Sequence, residues 1–330
     1  MMTTKSKVFP IPTSYFGIVL GLSALGLAWR YATPFLQSTL SLYHLLEVIP
    51  HIVSESLLLI AGIAWVIFIS AYMWKWIAYR AIAKEELSHP LLGSFVSLIP
   101  ITTMFVGLII LPYITIVGQI FIFVGIIVQL LFASYYMAGM WRGTYNIEST
   151  TPVLYLPTVA SNFVSATALA TLGYTEWAYL FWGAGTLSWL SLEPVILNRL
   201  RTIEPITEQI RPVISIALAP TFVACATYLT INGGVIDLIA KAIIGYGILQ
   251  FFFFLRIIRW IIVRGFTISL WGFSFALASM AKVGIYLHIA TQGQSIGVLG
   301  LPMFIIANLC IGILVIGTLL LLFKGKFFTK

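Results

Sequence analysis

Apolar runs, each of about 20 residues, follow one another along nearly the whole chain, with only short polar segments between them. A helix needs roughly 20 mostly apolar residues to cross the hydrocarbon core of a bilayer. Pro, Gly and charged residues divide these runs into ten predicted spans. Their approximate bounds are 15–33, 52–74, 92–111, 114–138, 155–173, 177–197, 213–231, 235–258, 266–287 and 297–323.

The composition excludes a soluble fold. The 330 residues are 60% hydrophobic and 8% charged, with a mean hydropathy of +1.04, whereas a soluble domain is typically about 25% charged. The ten spans leave no room for a separate soluble domain, so residues 1–330 are predicted to form a single all-α transmembrane domain. Two lysines precede the first run and no small-residue cleavage site follows it, which favours a retained helix over a signal peptide.

Basic residues predict the orientation of the chain. Ten crossings place both termini on one side, and 15 of the 18 Lys and Arg residues fall in predicted loops or span ends on that side. The positive-inside rule makes that side the cytoplasm. The net charge of +8 is therefore interpreted as a topology signal and not as a nucleic-acid-binding surface. The 15 residues are Lys5, Lys7, Lys75, Arg80, Lys84, Arg142, Arg199, Arg201, Arg211, Arg256, Arg259, Arg264, Lys324, Lys326 and Lys330.

A proline motif repeats in the odd-numbered spans. Pro100, Pro157 and Pro220 each follow an apolar or small residue and precede small or hydroxylic ones, at intervals of 57 and 63 residues, which is one helical hairpin. Proline inside a helix removes a backbone hydrogen bond. In a membrane this is tolerated where protein or a water-filled cavity satisfies the freed carbonyl. The odd-numbered spans are therefore predicted to form an inner layer.

Small residues support the same layer. The first span contains Gly17 and Gly21 in a GxxxG pattern, and the ninth contains Gly272, Ala276 and Ser279. Such faces are typical of close helix packing. By contrast, the bulky runs at 251–254 and 319–322 predict that the eighth and tenth spans face lipid.

Titratable groups are too few for a catalytic site or a metal centre. Cys225 and Cys310 are far apart, and the chain contains no P-loop, dinucleotide-binding glycine pattern or nucleophile elbow. We therefore expect no enzyme activity, cofactor or metal. The four histidines, none at ligand spacing on a helix, fall in or beside predicted loops: His44, His51, His89 and His288.

Glu193 is the one ionisable side chain inside a predicted span that suits proton coupling. The alternative is a structural carboxylate paired with a nearby base such as Arg199. Hydroxyl groups on the inner spans suit weak, passive solvation of an anion better than tight coupling. These hydroxyls belong to Thr102, Thr103, Ser161, Ser165 and Thr221.

Four separate motifs resemble the family of the bacterial TehA tellurite-resistance proteins, which is grouped with plant guard-cell slow anion channels and fungal malate transporters. They are PTSYFGI at 12–18, TTPVLYLPTVASNF at 150–163, LEPV at 192–195, and LWGFSF at 270–275 followed by LASM at 277–280. The motifs occur in order, and the likeness covers nearly the whole chain.

The resemblance implies a homotrimer of ten-helix protomers, each with five helical hairpins in a quasi-fivefold arrangement around a central pore. It also implies that Phe275 of the ninth span occludes the pore, and that glycine follows the gate where this chain has Ala276. We expect the pore to be lined by residues of the odd-numbered spans. These are Phe16, Gly17, Gly21, Pro100, Thr103, Pro157, Ser161, Ser165, Pro220, Ala224, Gly272, Ala276, Ser279 and Lys282.

Lys282 lies seven residues after Phe275, so it falls on the same side of a helix about 10 Å further along. If Phe275 faces a pore, Lys282 is predicted to line its outer vestibule and attract anions. The alternative is an interfacial anchor whose ammonium reaches the headgroups.

These features predict a channel for small monovalent anions such as chloride or nitrate, linked through its family to tellurite resistance. The alternative function is a proton-coupled exporter of C4-dicarboxylates or toxic oxyanions, with Glu193 as the coupling residue. A membrane scaffold or sensor without transport is a third class. The expected partners are small anions, the lipid bilayer and further copies of the chain.

Overall fold

A computed structural model describes residues 11–40, 48–143 and 146–328, with side chains described to residue 37 in the first range. Within these residues the secondary structure is helical, and ten helices are long and apolar enough to cross a membrane, as predicted. The spans, numbered here in chain order, are Thr13–Gln37, Ile49–Ala78, Leu92–Ile110, Thr115–Trp141, Pro152–Thr171, Thr175–Thr202, Arg211–Ile231, Leu238–Ile261, Ile268–Thr291 and Ser295–Phe323. Lys5, Lys7, His44 and Lys330, which entered the sequence predictions, lie outside the described residues.

Odd- and even-numbered spans differ sharply in burial. Between 72% and 89% of each odd-numbered span is buried within the protein, against 17% to 33% of each even-numbered span. An even-numbered helix is therefore apolar on faces that no other part of the described chain covers, as expected for helices in contact with lipid. This confirms the predicted inner and outer layers.

The inner spans pack in a closed order. The first contacts the third, the third the fifth, the fifth the seventh, the seventh the ninth, and the ninth returns to the first. Each even-numbered span packs against the odd-numbered span before it, which makes five helical hairpins. A closed order of contacts is what an arrangement around a central axis requires. The quasi-fivefold symmetry of that arrangement stays a prediction.

Each inner span begins with an irregular segment and then becomes a regular α-helix. The segments are 3-10 turns in the first, seventh and ninth spans, a four-residue α-helical turn at Leu92–Phe95 in the third, and a 3-10 turn followed by the π-helical turn Leu156–Ala160 in the fifth. The regular helix then begins at Phe16, Leu98, Ser161, Ala219 or Ser274. Pro220 stands in the first turn of its helix, where its missing N–H would have no partner in any case. Pro220 therefore marks the beginning of the α-helix. The sequence pattern had suggested a proline in the interior of the helix.

The row of phenylalanines in the eighth span is only partly lipid-facing. Phe252 and Phe253 are exposed, but Phe254 is buried and packs edge-to-face on Phe273 of the ninth span, with ring centroids 5.4 Å apart. A helix turns by about 100° per residue, so four consecutive side chains cannot share one face. The eighth span is sparsely buried, as predicted for a lipid-facing helix, and Phe254 is the residue of the row that turns toward the ninth span.

Ion pairs and hydrogen bonds connect the first span to neighbouring helices at both ends of the bundle. At the end where the inner helices begin, the Lys75 ammonium lies 2.5 Å from the Glu86 carboxylate, which also accepts a hydrogen bond of 2.9 Å from the Thr13 hydroxyl. At the opposite end, Arg30 makes two hydrogen bonds of 3.0 and 2.8 Å to Glu55. Two-pronged pairs of this kind fix geometry as well as adding energy.

Candidate functional site

A cavity opens where the five inner spans begin. All five contribute to its wall, for example through Gly17, Leu98, Tyr155, Pro220 and Gly272. Most of its lining comes from the irregular segments and the first turns of the helices that follow them. The cavity is narrow: the space open to the centre of a water-sized sphere is about 40 Å³. The cavity therefore lies on the common axis of the inner layer.

The wall of the cavity is almost entirely apolar. Ser14, Tyr155 and Ser269 supply its hydroxyl groups, and among the described residues that line it none carries a formal charge. No group of three or more His, Cys, Asp or Glu side chains suitable for a metal occurs in the part of the chain that the structure describes. Such a wall offers an ion little solvation.

The floor of the cavity is made of bulky apolar side chains. Along each inner span, the lining residue farthest from the mouth is Leu20, Leu98, Phe163, Val223 or Phe275. Phe275 is 6% exposed. A narrow apolar constriction excludes ions sterically and also by remaining dry.

Phe275 is held by a second aromatic ring. Its ring meets that of Phe105 on the third span edge-to-face, with centroids 5.8 Å apart and planes at 86°. This is the geometry that aromatic pairs prefer, worth about 0.5–1.5 kcal/mol beyond the area buried. The pair therefore joins opposite parts of the inner layer at the level of the floor.

Polar side chains reappear beyond the floor. The hydroxyls of Thr167 and Thr227 are 2.9 Å apart, and each of these residues lies four positions after a floor residue of its own span. Further along, the Lys282 ammonium donates to the Thr230 hydroxyl at 2.9 Å, and its nitrogen lies 5.8 Å from the centre of the Tyr286 ring. A cavity, an apolar floor and a polar belt thus follow one another along the inner spans.

Four of the residues predicted to form a pore line this cavity: Gly17, Pro220, Gly272 and Phe275. Gly17 and Gly272 lie where the first, seventh and ninth spans approach closely. A Cβ on Gly272 would stand 2.3 Å from the Ser215 hydroxyl, and a Cβ on Gly17 would stand 3.7 Å from Cβ of Trp271. Small residues let the inner helices come together around a narrow space.

Other predicted pore residues pack helix against helix. Phe16 packs edge-to-face on Phe68 of the second span at 5.8 Å, and a Cβ on Gly21 would lie 2.3 Å from the Ser274 hydroxyl. The Ala224 carbonyl accepts a hydrogen bond from the indole of Trp182 on the sixth span.

The predicted hydroxyls serve their own helices. Thr103 donates to the Ile99 carbonyl at 2.8 Å, Ser161 to that of Pro157 at 2.5 Å and Ser165 to that of Ser161 at 2.9 Å. The Thr102 and Thr221 hydroxyls likewise bond carbonyls three or four residues earlier. Their protons are thus already used within the helix, an arrangement that sequence alone does not reveal.

Three further predicted residues are placed as follows. Pro100 lies in the first turn of the regular part of the third span, where its carbonyl stands close to Gly125 of the fourth span. Ala276 and Ser279 are buried in the ninth span. A role for any of these residues in a conduction path stays a prediction.

Glu193 lies beside the cavity wall, between the fifth, sixth and eighth spans. Its carboxylate accepts hydrogen bonds from the Tyr155 hydroxyl, the Trp189 indole at 2.9 Å, the Tyr246 hydroxyl at 3.2 Å and the Gln250 amide at 3.2 Å. These four donors are neutral, and no base in the described ranges forms a salt bridge with it.

The alternative that pairs Glu193 with Arg199 is wrong. The Arg199 guanidinium donates instead to the Glu204 carbonyl at 3.2 Å. The two residues are six positions apart in one helix, whereas side chains meet at spacings of three or four.

The sequence interpretation missed the floor residue Phe163, the residue Phe105 that packs on Phe275, and the polar residues beyond the floor, Thr167, Thr227 and Thr230. Phe105 follows Leu98 by seven residues, and Thr227 follows Val223 by four, so each pair shares a helix face. That spacing is a usable signal only after one cavity-lining residue of each helix is known.

These features define a multi-pass membrane protein with ten spanning helices, five of which enclose an axial cavity closed by an apolar floor. The chain belongs to the SLAC1 family, described as voltage-dependent anion channels, whose family model matches residues 10–319.

Relatives in bacteria and plants agree with this assignment. The chain is 42% identical over 328 residues to the tellurite resistance protein TehA homolog of Haemophilus influenzae, covering 98% of this chain and 95% of the relative. It is 26% identical over 303 residues to the S-type anion channel SLAH2 of Arabidopsis thaliana, covering 89% of this chain and 56% of the relative. The guard cell S-type anion channel SLAC1 of the same plant is 22% identical over 322 residues, with coverage of 94% and 55%.

Proposed function

We propose that this protein conducts small monovalent anions, such as chloride and nitrate, along the axis of its five inner spans, and that Phe275 closes the path. The observation that carries the proposal is a cavity to which all five inner spans contribute and whose floor includes Phe275. The similarity to plant proteins named S-type anion channels supports it further.

The distribution of charge favours anions. The described residues lining the cavity carry no carboxylate, and a lysine stands beyond the floor. A channel must bind its ion weakly enough to release it. An uncharged wall, with one lysine beyond the floor, binds a singly charged anion weakly enough for release. It suits such an anion better than a dicarboxylate, which carries two charges.

Reconstitution in a planar bilayer tests the proposed function. With different anion concentrations on the two sides and equal pH, we expect a small current whose reversal potential follows the anion gradient. A reversal potential that follows the cation gradient, or transport that requires a proton gradient, would contradict the proposal.

The rival function, proton-coupled export of dicarboxylates or oxyanions, depends on Glu193. Glu193→Gln keeps an acceptor for the surrounding donors and removes the titratable charge. We expect the variant to retain an anion current that does not depend on a proton gradient. The matched control is Glu176→Gln, at the exposed beginning of the same helix. Proton-driven dicarboxylate uptake that Glu193→Gln abolishes and Glu176→Gln preserves would favour the rival.

The proposal also includes a location and an assembly. The protein lies in the bacterial inner membrane with both termini in the cytoplasm. Residues 1–330 form one transmembrane domain, and three copies of the chain form a homotrimer. The tellurite-resistance link rests on the bacterial relative. The exposed apolar faces of the even-numbered spans are suited both to lipid and to neighbouring protomers.

Reporter fusions test this orientation. The cavity mouth and the predicted cytoplasmic loops share the end where the inner spans begin. We therefore expect a periplasm-dependent phosphatase to be inactive when fused at the C-terminus or after Arg142, and active after Gly234, which joins the seventh and eighth spans. Phosphatase activity at the C-terminus would contradict either the even number of crossings or their direction.

A further inference from the structure

Lys282 is a cation inside the helical bundle that has no acidic partner among the described residues. Its side chain is partly buried, on the ninth span, and its ammonium bonds the Thr230 hydroxyl of the seventh span at 2.9 Å. The salt bridges in the described ranges join Arg30 to Glu55, Lys75 to Glu86 and Arg211 to Glu208, and none includes Lys282. A charge withdrawn from water and left without a counter-charge is costly. The position therefore favours an ionic partner from outside the chain.

The donors around Lys282 are arranged for such a partner. Thr230 donates its own proton to the Ala226 carbonyl at 2.7 Å, so its oxygen accepts from the ammonium and positions it. An ammonium has three N–H donors, and this contact uses one. The Tyr286 hydroxyl makes a contact of 3.5 Å to Thr230 and is also hydrogen-bonded to the Tyr31 side chain. Two ammonium protons of Lys282 thus remain for a ligand beside this phenol.

The cluster lies on the continuation of the cavity axis. Thr230 follows Thr227 by three residues, and Thr227 follows the floor residue Val223 by four. Lys282 follows Phe275 by seven, which places it about 10 Å beyond the floor. The ring of Tyr286 packs against that of Tyr31 on the first span, with centroids 4.3 Å apart. The ammonium thus contacts the seventh span directly, and the tyrosine ring beside it packs on the first span.

We propose that Lys282, Thr230 and Tyr286 form a binding site for one small monovalent anion, such as nitrate or a halide, on the far side of Phe275 from the cavity. The anion supplies a counter-charge that no described residue provides, Lys282 donates to it with the Tyr286 phenol alongside, and Thr230 holds the ammonium in place. The inference rests on the proposed function, because an anion reaches this site along the conduction path only if the protein is a channel. Binding of the anion at the site does not itself require conduction.

The first test measures thermal unfolding of the purified protein in detergent. Nitrate replaces gluconate at constant ionic strength, so that general screening stays the same. A ligand that binds only the folded state raises the unfolding midpoint as its concentration rises above the Kd. We expect nitrate to raise the midpoint of the wild type and of Lys241→Met, which removes an exposed lysine of the eighth span. Lys282→Met should lose the nitrate-dependent rise, and Lys282→Arg should keep it.

A second measurement uses the unmodified chain. Acetylation of lysines, followed by mass spectrometry, should show nitrate slowing the reaction at Lys282 and leaving Lys241 unchanged. The proposed site is contradicted if nitrate changes neither the unfolding midpoint of the wild type nor its acetylation at Lys282. It is also contradicted if Lys282→Met keeps the full nitrate-dependent rise in the unfolding midpoint.

Conduction is measured separately, so the two proposals can fail separately. One outcome is that nitrate slows acetylation of Lys282 while neither the wild type nor the Phe275→Ala variant passes an anion current. This result would support the anion site and contradict the proposed channel. An anion current in Phe275→Ala together with nitrate-independent Lys282 acetylation would contradict only the site.

Discussion

Phe275→Ala is expected to raise the anion conductance of the reconstituted protein by about tenfold or more, equivalent to lowering the barrier to ion passage by about 1.4 kcal/mol or more. The substitution removes a ring from the cavity floor and leaves Phe105 without its edge-to-face partner. The constriction then becomes wider and easier to hydrate. Single-channel or macroscopic current in a planar bilayer, with chloride or nitrate as the anion, measures the change.

Phe273→Ala is the matched control. Phe273 is two residues away on the same helix, but its ring packs on Phe254 of the eighth span. It also lines a lipid-side groove outside the inner layer. We expect Phe273→Ala to lower stability while leaving conductance close to that of the wild type. Unchanged conductance in a folded Phe275→Ala variant, or an equal increase in both variants, would show that the gate lies elsewhere.

The layered fold could be predicted from sequence because the bilayer imposes simple rules. Each span must be long and apolar, and proline or clusters of small residues are tolerated mainly where other protein surrounds them. Pro100, Pro157 and Pro220 therefore identified three inner spans. The structure confirms that all five odd-numbered spans are the buried ones.

The detail of the path could not be predicted in the same way. Hydroxyls such as those of Thr103 and Ser165 are equally able to face an axis or to bond their own helix, and they bond the helix. Phe163, which lies in the floor, and Phe105, which packs on Phe275, are two of 23 phenylalanines. Only the rotation of each helix about its own axis selects them for these positions. That rotation is set by contacts between helices distant in sequence, which no local pattern encodes.

Close backbone contacts set that rotation, and the closest approach of the ninth and tenth spans is at Gly284 and Gly300. A Cβ on Gly284 would lie 2.4 Å from the Gly300 carbonyl oxygen, and a Cβ on Gly300 would lie 2.5 Å from the Gly284 carbonyl oxygen. Neither oxygen belongs to a side chain that can change rotamer. A methyl group at either position therefore forces the two helices apart.

Gly284→Ala should consequently destabilise the protein by about 3 kcal/mol, the upper part of the range for overpacked interiors, because the obstacle is backbone. The midpoint of thermal unfolding in detergent, followed by size-exclusion chromatography, measures the loss. Gly312→Ala in the tenth span is the control, because nothing lies within 4 Å of the added carbon and alanine is the better helix former. A midpoint for Gly284→Ala equal to that of Gly312→Ala would contradict the predicted contact.

The double substitution tests the geometry further. Once Gly284→Ala has separated the helices, the space that Gly300→Ala needs is already open, because both methyl groups enter the same contact. Residues that share one contact are not additive. We therefore expect the double variant to lose less stability than the sum of the two single losses. Full additivity would mean that the two methyl groups are accommodated at separate places, and that the ninth span, which carries Phe275 and Lys282, is not fixed by this glycine pair.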